Sequence, residues 1–336
     1  MHSYLPDTIR REWLARHASR EQTGPRAQFW RSLPALPERP ESGHKGTFGT
    51  GAAIGGSRGM SGAIALTGSA CVLAGAGLTR LYVPDAILDT VAQFQREYTT
   101  IPCPCDAEGR MTGLSESALH SLSDATALAV GPGLGRSDAL DRLVGELFRT
   151  TKQPSVFDAD ALNALASAKA FTQDAAETFC PQGARILTPH PSEFARLFGA
   201  KLTDDRKARR SCAVRFLERV QKLYGSELRC HFTLVLKGRE TIVATLDPET
   251  GTTRARVNLT GNVNLATGGS GDVLTGIILG LLAQGMNGPD AARLGVALHG
   301  LAAELRASIC SRGATASDAA RFLACAIDYY SLARDE

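Results

Sequence analysis

From Thr47 onward, short apolar runs alternate with longer segments whose apolar residues recur every three or four positions. The runs at 47–54, 79–83, 126–130, 154–157, 185–187, 232–236 and 240–244 read as strands. Helical periodicity marks 61–75, 137–149, 192–198, 204–223, 272–284, 289–309 and 317–332. Uninterrupted apolar strands suit a sheet covered on both faces, and the intervening helices supply the crossovers that parallel strands require. The predicted fold class is therefore α/β, a mostly parallel central sheet with helices on both sides. Segment 272–284 shows the pattern well. Val273, Leu274, Ile277, Ile278, Leu281 and Leu282 form a wide apolar stripe, Gly276 and Gly280 leave room for a neighbouring backbone, and Gly285 suits a C-terminal stop.

Residues 1–40 differ from the rest. They are rich in Arg and Pro, place Ile9, Trp13 and His17 at helical spacing, and then run irregularly through Pro34, Pro37 and Pro40. So few apolar residues do not make a core. The expected division is an N-terminal helical arm and lead-in over 1–40, then one domain over 41–336. The chain of 336 residues is 43% hydrophobic and 21% charged, as ordinary globular proteins are. A net charge of +3 is too small to argue for nucleic acid or an anionic membrane. No apolar run reaches the length of a membrane span, and the N-terminus has no signal-like apolar core. Of eight cysteines only Cys103 and Cys105 are close, at a spacing that fits neither a zinc knuckle nor a redox pair. Free thiols and a cytoplasmic location are the expectation.

The candidate chemistry begins at Gly268-Gly269-Ser270-Gly271-Asp272, where small residues open an apolar helix. Uncovered backbone N–H groups and the helix dipole together favour an anion there. An acid at the edge of such a pocket would repel a phosphate that was merely bound. It makes sense as the group that takes a proton from a hydroxyl attacking the phosphate. Other segments are individually ambiguous. Gly131-Pro-Gly133-Leu-Gly135 follows a strand and reads equally as tight turn or ligand loop. It lacks the dinucleotide G-x-G-x-x-G spacing, and the chain has no Walker A pattern. Thr188-Pro-His190-Pro-Ser-Glu193 opens a helix that Thr188 or Ser192 would cap, while its two prolines would aim His190 outward. Asp158 and Asp160, at another strand end, suit either a hydrated Mg²⁺ or helix capping by Asp160. Lys237-Gly238-Arg239-Glu240-Thr241 reads as the turn of a hairpin, and His44-Lys45-Gly46 as an exposed turn before the first strand.

Taken in order, these elements resemble the ADP/ATP-dependent NAD(P)H-hydrate dehydratases of the ribokinase-like superfamily, over about residues 41–332. The resemblance rests on His44-Lys-Gly-Thr-Phe-Gly49, Ser61-Gly-Ala-Ile64, Val130-Gly-Pro-Gly-Leu-Gly135 and Phe157-Asp-Ala-Asp-Ala-Leu-Asn163. It continues through Leu187-Thr-Pro-His-Pro-Ser-Glu193, Leu236-Lys-Gly-Arg-Glu-Thr241, Gly261-Asn262 and Gly268-Gly-Ser-Gly-Asp272. The chain departs from the family at Val263-Asn264-Leu265, where Pro-Gly-Met is usual, and at Leu259, where proline is common.

The resemblance implies a three-layer αβα ribokinase-like fold and repair of hydrated nicotinamide cofactors. It implies that Ala63, Gly133, His190 and Asp272 contact the hydrated dinucleotide. Lys237, Gly238, Arg239, Glu240, Thr241 and Gly271 would hold the adenine nucleotide, with Asn262, Gly268, Gly269 and Ser270 in the same anion-binding set. The implied reaction phosphorylates the hydroxyl of NADHX or NADPHX from ADP, or from ATP, and then eliminates phosphate. Asp272 is the base, and Mg²⁺ shields the nucleotide phosphates with no resident metal ligands assigned. Relatives assemble as homo-oligomers, and many bacterial ones carry a fused N-terminal epimerase domain for which this chain is expected to have no room. A separate epimerase would then be a functional partner. The competing reading is a small-molecule kinase of the same superfamily, of sugar or hydroxymethylpyrimidine type, which would share the Gly-Asp loop. A third reading keeps the pocket for nucleotide sensing alone, and Asp272 beside the anion loop argues against it.

Overall fold

The computed structural model describes residues 24–173, 179–309 and 311–335, so the segment around Ile9, Trp13 and His17 lies outside the described residues. Among the described residues nine strands form one sheet in the order β3-β2-β1-β4-β5-β6-β7-β8-β9. They are β1 (Thr50–Ile54), β2 (Leu78–Pro84), β3 (Thr99–Cys103), β4 (Ala127–Val130), β5 (Ser155–Phe157), β6 (Arg185–Leu187), β7 (Phe232–Leu236), β8 (Ile242–Leu246) and β9 (Thr253–Val257). The first seven run parallel, while β7–β8 and β8–β9 pair antiparallel.

The side-chain alternation of each strand splits the interior into two cores. Ala53, Ala129, Val156, Ile186 and Val235 face one, while Ile54, Leu128, Phe157, Leu187 and Leu234 face the other. The first core is covered by the helices Ser61–Leu73, Ser270–Ala283, Gly288–Ile309 and Leu323–Asp335, joined by Trp30 of the helix Gly24–Ser32. The second is covered by Asp138–Thr150, Asp160–Ser167, Pro191–Phe198 and Arg206–Tyr224. The three layers expected from the sequence are present.

Two strands and three helices of the described residues, the five-residue helix Leu88–Ala92 among them, were not legible in the apolar pattern. β3 and β9 lie at the sheet's edges, where several side chains face solvent, so neither forms a continuous apolar run. The helices Glu116–Ser123 and Asp160–Ser167 are each 8 residues, too short for a strong period. The predicted single helix 317–332 is two, Ala316–Arg321 and Leu323–Asp335.

The glycines of the helix Ser270–Ala283 do what their spacing suggested. A Cβ on Gly276 would stand 2.2 Å from the Thr67 carbonyl oxygen, and one on Gly280 2.7 Å from that of Cys71. The two helices therefore touch backbone to backbone. Gly276→Ala should cost about 1–3 kcal/mol as an overpacking substitution, read as a lower urea midpoint at unchanged slope.

The chain leaves β1 for β2 and β3 on one side, then returns to place β4 on the other. Strand order reverses between β1 and β4, and in open α/β sheets ligands bind beyond the carboxyl ends of strands at such a point.

Candidate active site

The carboxyl ends of four neighbouring strands converge here. Gly131–Gly135 follow β4, Asp158 follows β5, Thr188–His190 follow β6, and Lys237 follows β7. Facing them is the N-terminus of the helix Ser270–Ala283. Gly269 caps it in the left-handed conformation, φ +86°, which glycine adopts without strain. Among the described residues, the N–H groups of Gly268, Gly269, Gly271 and Asp272 find no acceptor, while Ser270 N–H reaches Thr267 O at 3.4 Å. The row of bare amides inferred from the sequence is thus in place.

At the centre lies a buried ion pair. Lys237 Nζ donates to Asp158 Oδ1 at 2.8 Å, and Thr275 Oγ1 donates to Asp158 Oδ2 at 2.8 Å. Asp158 is 1% exposed. Burial works against the Lys237 ammonium, yet Asp158, Glu193 and Asp272 outweigh it and raise its pKa. A Cβ on Gly271 would stand 3.2 Å from Lys237 Nζ, so the missing side chain lets the ammonium sit directly against the helix's first turn. A cation beside bare amides makes a strong seat for phosphate.

Asp272 stands in that turn, and its main-chain oxygen accepts from Thr67 Oγ1 at 3.1 Å. Its carboxylate has no hydrogen-bond partner among the described residues, unlike Asp158, Asp160 and Glu193. Burial pushes its pKa up to about 7; Asp158, Asp160 and Glu193 add to the rise, and Lys237 opposes it. A carboxyl group poised near neutrality serves as a general base.

Ala63 and Gly133 meet on one wall. A Cβ on Gly133 would lie 3.0 Å from that of Ala63 and 2.7 Å from the Met60 carbonyl, and its φ of +63° also favours glycine. Thr67 Oγ1 donates to both Ala63 O and Asp272 O, at 3.1 Å each, tying that wall to the acid. On the other side His190 caps the helix Pro191–Phe198, in the role expected of Thr188 or Ser192. Its Nδ1 accepts from the N–H groups of Ser192 and Glu193, at 3.1 and 3.3 Å. Glu193 Oε2 in turn accepts from His190 N–H at 2.8 Å, which closes a capping box. The ring is therefore anchored at Nδ1 rather than aimed wholly outward. Burial, then Lys237 and Arg196, lower the His190 pKa, so the ring is neutral and carries its proton on Nε2. Its Nε2 lies 3.3 Å from Glu193 Oε1.

The Lys237–Thr241 turn closes the β7–β8 hairpin as expected. Arg209 braces it by donating to the carbonyls of Leu236, Lys237 and Arg239, and Thr241 Oγ1 donates to Gly238 O at 3.1 Å. Glu240 holds φ +55° and pairs with Arg206 at 3.1 Å. Ser270 Oγ lies 3.4 Å from Nε2 of the buried His299. Asn262 spends its side chain internally: Nδ2 donates to Ala303 O at 3.1 Å and Oδ1 accepts from Asn264 N–H at 3.0 Å. Only its backbone is left to face a ligand. Residues 263–265 form a 3₁₀ turn in which Asn264 keeps a negative φ, so the usual family glycine is not needed there.

Two expectations change. Asp158 is committed to Lys237 and Thr275, and Asp160 accepts from Gly135 N–H at 2.8 Å and from Asn163 at 3.3 Å. Neither offers a free carboxylate to Mg²⁺, and Ala159, not Asp160, is the helix N-cap. Among the described residues no cluster of three His, Cys, Asp or Glu could hold a metal ion. His44-Lys45-Gly46 precedes β1 and so lies at the opposite edge of the sheet, in a turn where His44 Nδ1 accepts from Gly46 N–H. Glu193, Thr275 and Thr67 were not singled out by sequence reasoning. The His-x-x-Glu spacing of a capping box was the available signal for Glu193.

The family description NAD(P)H-hydrate dehydratase matches residues 52–324, a span that contains every site residue described above. The chain belongs to that family. It is 39% identical over 275 residues to the ADP-dependent (S)-NAD(P)H-hydrate dehydratase of Neisseria meningitidis, covering 80% of each chain. It is 41% identical over 274 residues to a bifunctional NAD(P)H-hydrate repair enzyme of Moorella thermoacetica, covering 80% of this chain and 47% of the relative. The chain thus spans about half the length of the bifunctional relatives of this family that it matches. Among solved structures, the ADP/ATP-dependent NAD(P)H-hydrate dehydratase of Bacillus subtilis, co-crystallised with ATP/Mg²⁺, superposes with a TM-score of 0.69 at 29% identity, covering 88% of this chain and 94% of that one. Membership of the dehydratase family accounts for the ribokinase-like layering and for the order of the loop motifs.

Proposed function

We propose that this chain dehydrates (6S)-NADHX and NADPHX to NADH and NADPH at the expense of ADP, releasing AMP and phosphate. The observation that carries the reading is the unpartnered Asp272 carboxylate at the mouth of the amide row, beside Lys237. The hydrate's hydroxyl attacks the terminal phosphoryl group while its proton passes to Asp272. The bare amides and the Lys237 ammonium, held by Asp158, take up the charge of the transferring group. AMP leaves. The ring nitrogen's lone pair then expels phosphate from the neighbouring carbon, and the departing phosphate takes the proton from the next carbon, restoring the ring double bond. His190 Nε2–H and the Ala63–Gly133 wall orient the hydrated ring. The protein's own carboxylates do not suit a resident Mg²⁺, so the metal is assigned to the incoming nucleotide as part of that co-substrate. The named activity of the Neisseria meningitidis relative supports ADP as donor. The bifunctional repair enzymes among this chain's relatives are compatible with a functional pairing with an epimerase.

Recovery of the reduced-nicotinamide absorbance from hydrated NADH plus ADP tests this directly. Phosphorylation of small alcohols by ATP with no such recovery would favour a kinase instead. Because the base must be ionised, turnover should rise as pH increases through about 7, where Asp272 loses its proton. A kcat profile flat from pH 5.5 to 8.5 would contradict that assignment.

A further inference from the structure

The helix Gly24–Ser32 lies outside the residues matched by the family, yet it reaches the segment proposed to flank the nucleotide. The connection runs through Glu304, on the helix Gly288–Ile309. Its Oε1 accepts from Gly261 N–H at 2.8 Å, and its Oε2 is ion-paired with Arg26. Gly261 sits at φ +108°, a conformation that glycine alone adopts readily, with the Gly300 Cα 3.6 Å from where a Cβ would stand. The flanking residues ride on the same helix. Thr260 Oγ1 donates to Ala297 O at 2.9 Å, and Asn262 Nδ2 donates to Ala303 O. Of these three contacts only the one from Glu304 is charge-assisted, and so the strongest.

Arg26 is itself held in place. Its guanidinium carbon lies 5.6 Å from the centre of the Trp30 ring. Trp30 is fully buried against Tyr329 and Tyr330, with ring centres 6.3 and 6.0 Å apart. An arginine stacked on a locked ring loses little further entropy when it pairs. The Arg26 and Glu304 side chains are 32% and 22% exposed, so the pair adds little to global stability. Its effect is read at the Gly261 N–H that Glu304 accepts.

We propose that Arg26 acts through Glu304 as a positioning residue for the Thr260–Asn262 backbone, making the N-terminal helix a brace on the nucleotide side of the site. This rests on the reading that this segment flanks the adenine nucleotide. The test is ADP kinetics on full-length variants with hydrated NADH as acceptor, alongside thermal unfolding. Arg26→Ala should raise the KM for ADP about three- to tenfold, the range one charge-assisted contact supplies. Its kcat should stay within about twofold, the signature of lost binding rather than lost transition-state contact. Glu304→Gln keeps an oxygen for Gly261 N–H but loses the ion pair, and should match Arg26→Ala. Glu304→Ala should exceed both, and adding Arg26→Ala to it should change nothing more. An unchanged KM in Arg26→Ala and Glu304→Gln would overturn the proposal, as would a joint fall in kcat and melting temperature without a KM shift. Failure of the unmodified protein to use ADP would remove the functional reading itself, a distinct result.

Discussion

Replacing Asp272 with asparagine is expected to lower turnover roughly 10²–10⁴-fold while ADP still binds. The amide keeps the size of the side chain and leaves Lys237, Gly271 and the bare N–H groups in place, so the phosphate seat survives. Only the proton acceptor is lost. Isothermal titration with ADP beside a steady-state assay separates the two effects, and near-normal turnover would strip Asp272 of its role. The same variant carries a stability signature. The carboxyl is held up near 7 in the folded protein against an ordinary aspartate value of 3.8. Between these values the folded state binds the extra proton, so this group's contribution to stability falls as pH rises through that window. Asp272→Asn should therefore raise the melting temperature at pH 8 and do so much less at pH 5.

Lys237→Met should destabilise the protein by about 3–5 kcal/mol, because it strands the buried Asp158 carboxylate with Thr275 as its remaining partner. Chemical denaturation reads this as a lower midpoint. The decisive comparison is the double variant Lys237→Met/Asp158→Asn, in which no uncompensated charge is buried. It should recover most of the lost stability and none of the lost turnover, since the cation that faces the phosphate is still absent. Recovery of activity along with stability would show Lys237 to be a packing element only.

The central strands and long helices could be read from periodicity because burial on both sheet faces leaves nothing but apolar residues there. The row of bare amides proposed to seat phosphate was legible for a related reason. Four small residues before an apolar helix have few other uses, and Gly269 and Gly271 are where the backbone needs them. What the sequence could not disclose were pairings between distant segments. Asp158 looked like a metal ligand because Lys237 is 79 positions away, and its other partner, the buried Thr275, lies in a helix that otherwise reads as apolar. His190 looked outward-facing because prolines bracket it, and its side chain is 46% exposed, but the capping box that anchors Nδ1 to the main chain was not foreseen. Arg185 is fully buried with its guanidinium spent on the carbonyls of Phe148, Thr151, Gln153 and Ala184, an arrangement no local pattern announces.

The carbonyl-to-glycine seating of the helix Ser270–Ala283 on the helix Ser61–Leu73 leaves the turn that carries Asp272 no slack in which to travel. Ala63 rides on that same helix Ser61–Leu73, so under the proposed function its single methyl and the bare α-carbon of Gly133 face a fixed turn and would set the room left for the acceptor. Attempts to retarget this scaffold toward other alcohols would do best to vary those two positions and leave the turn alone.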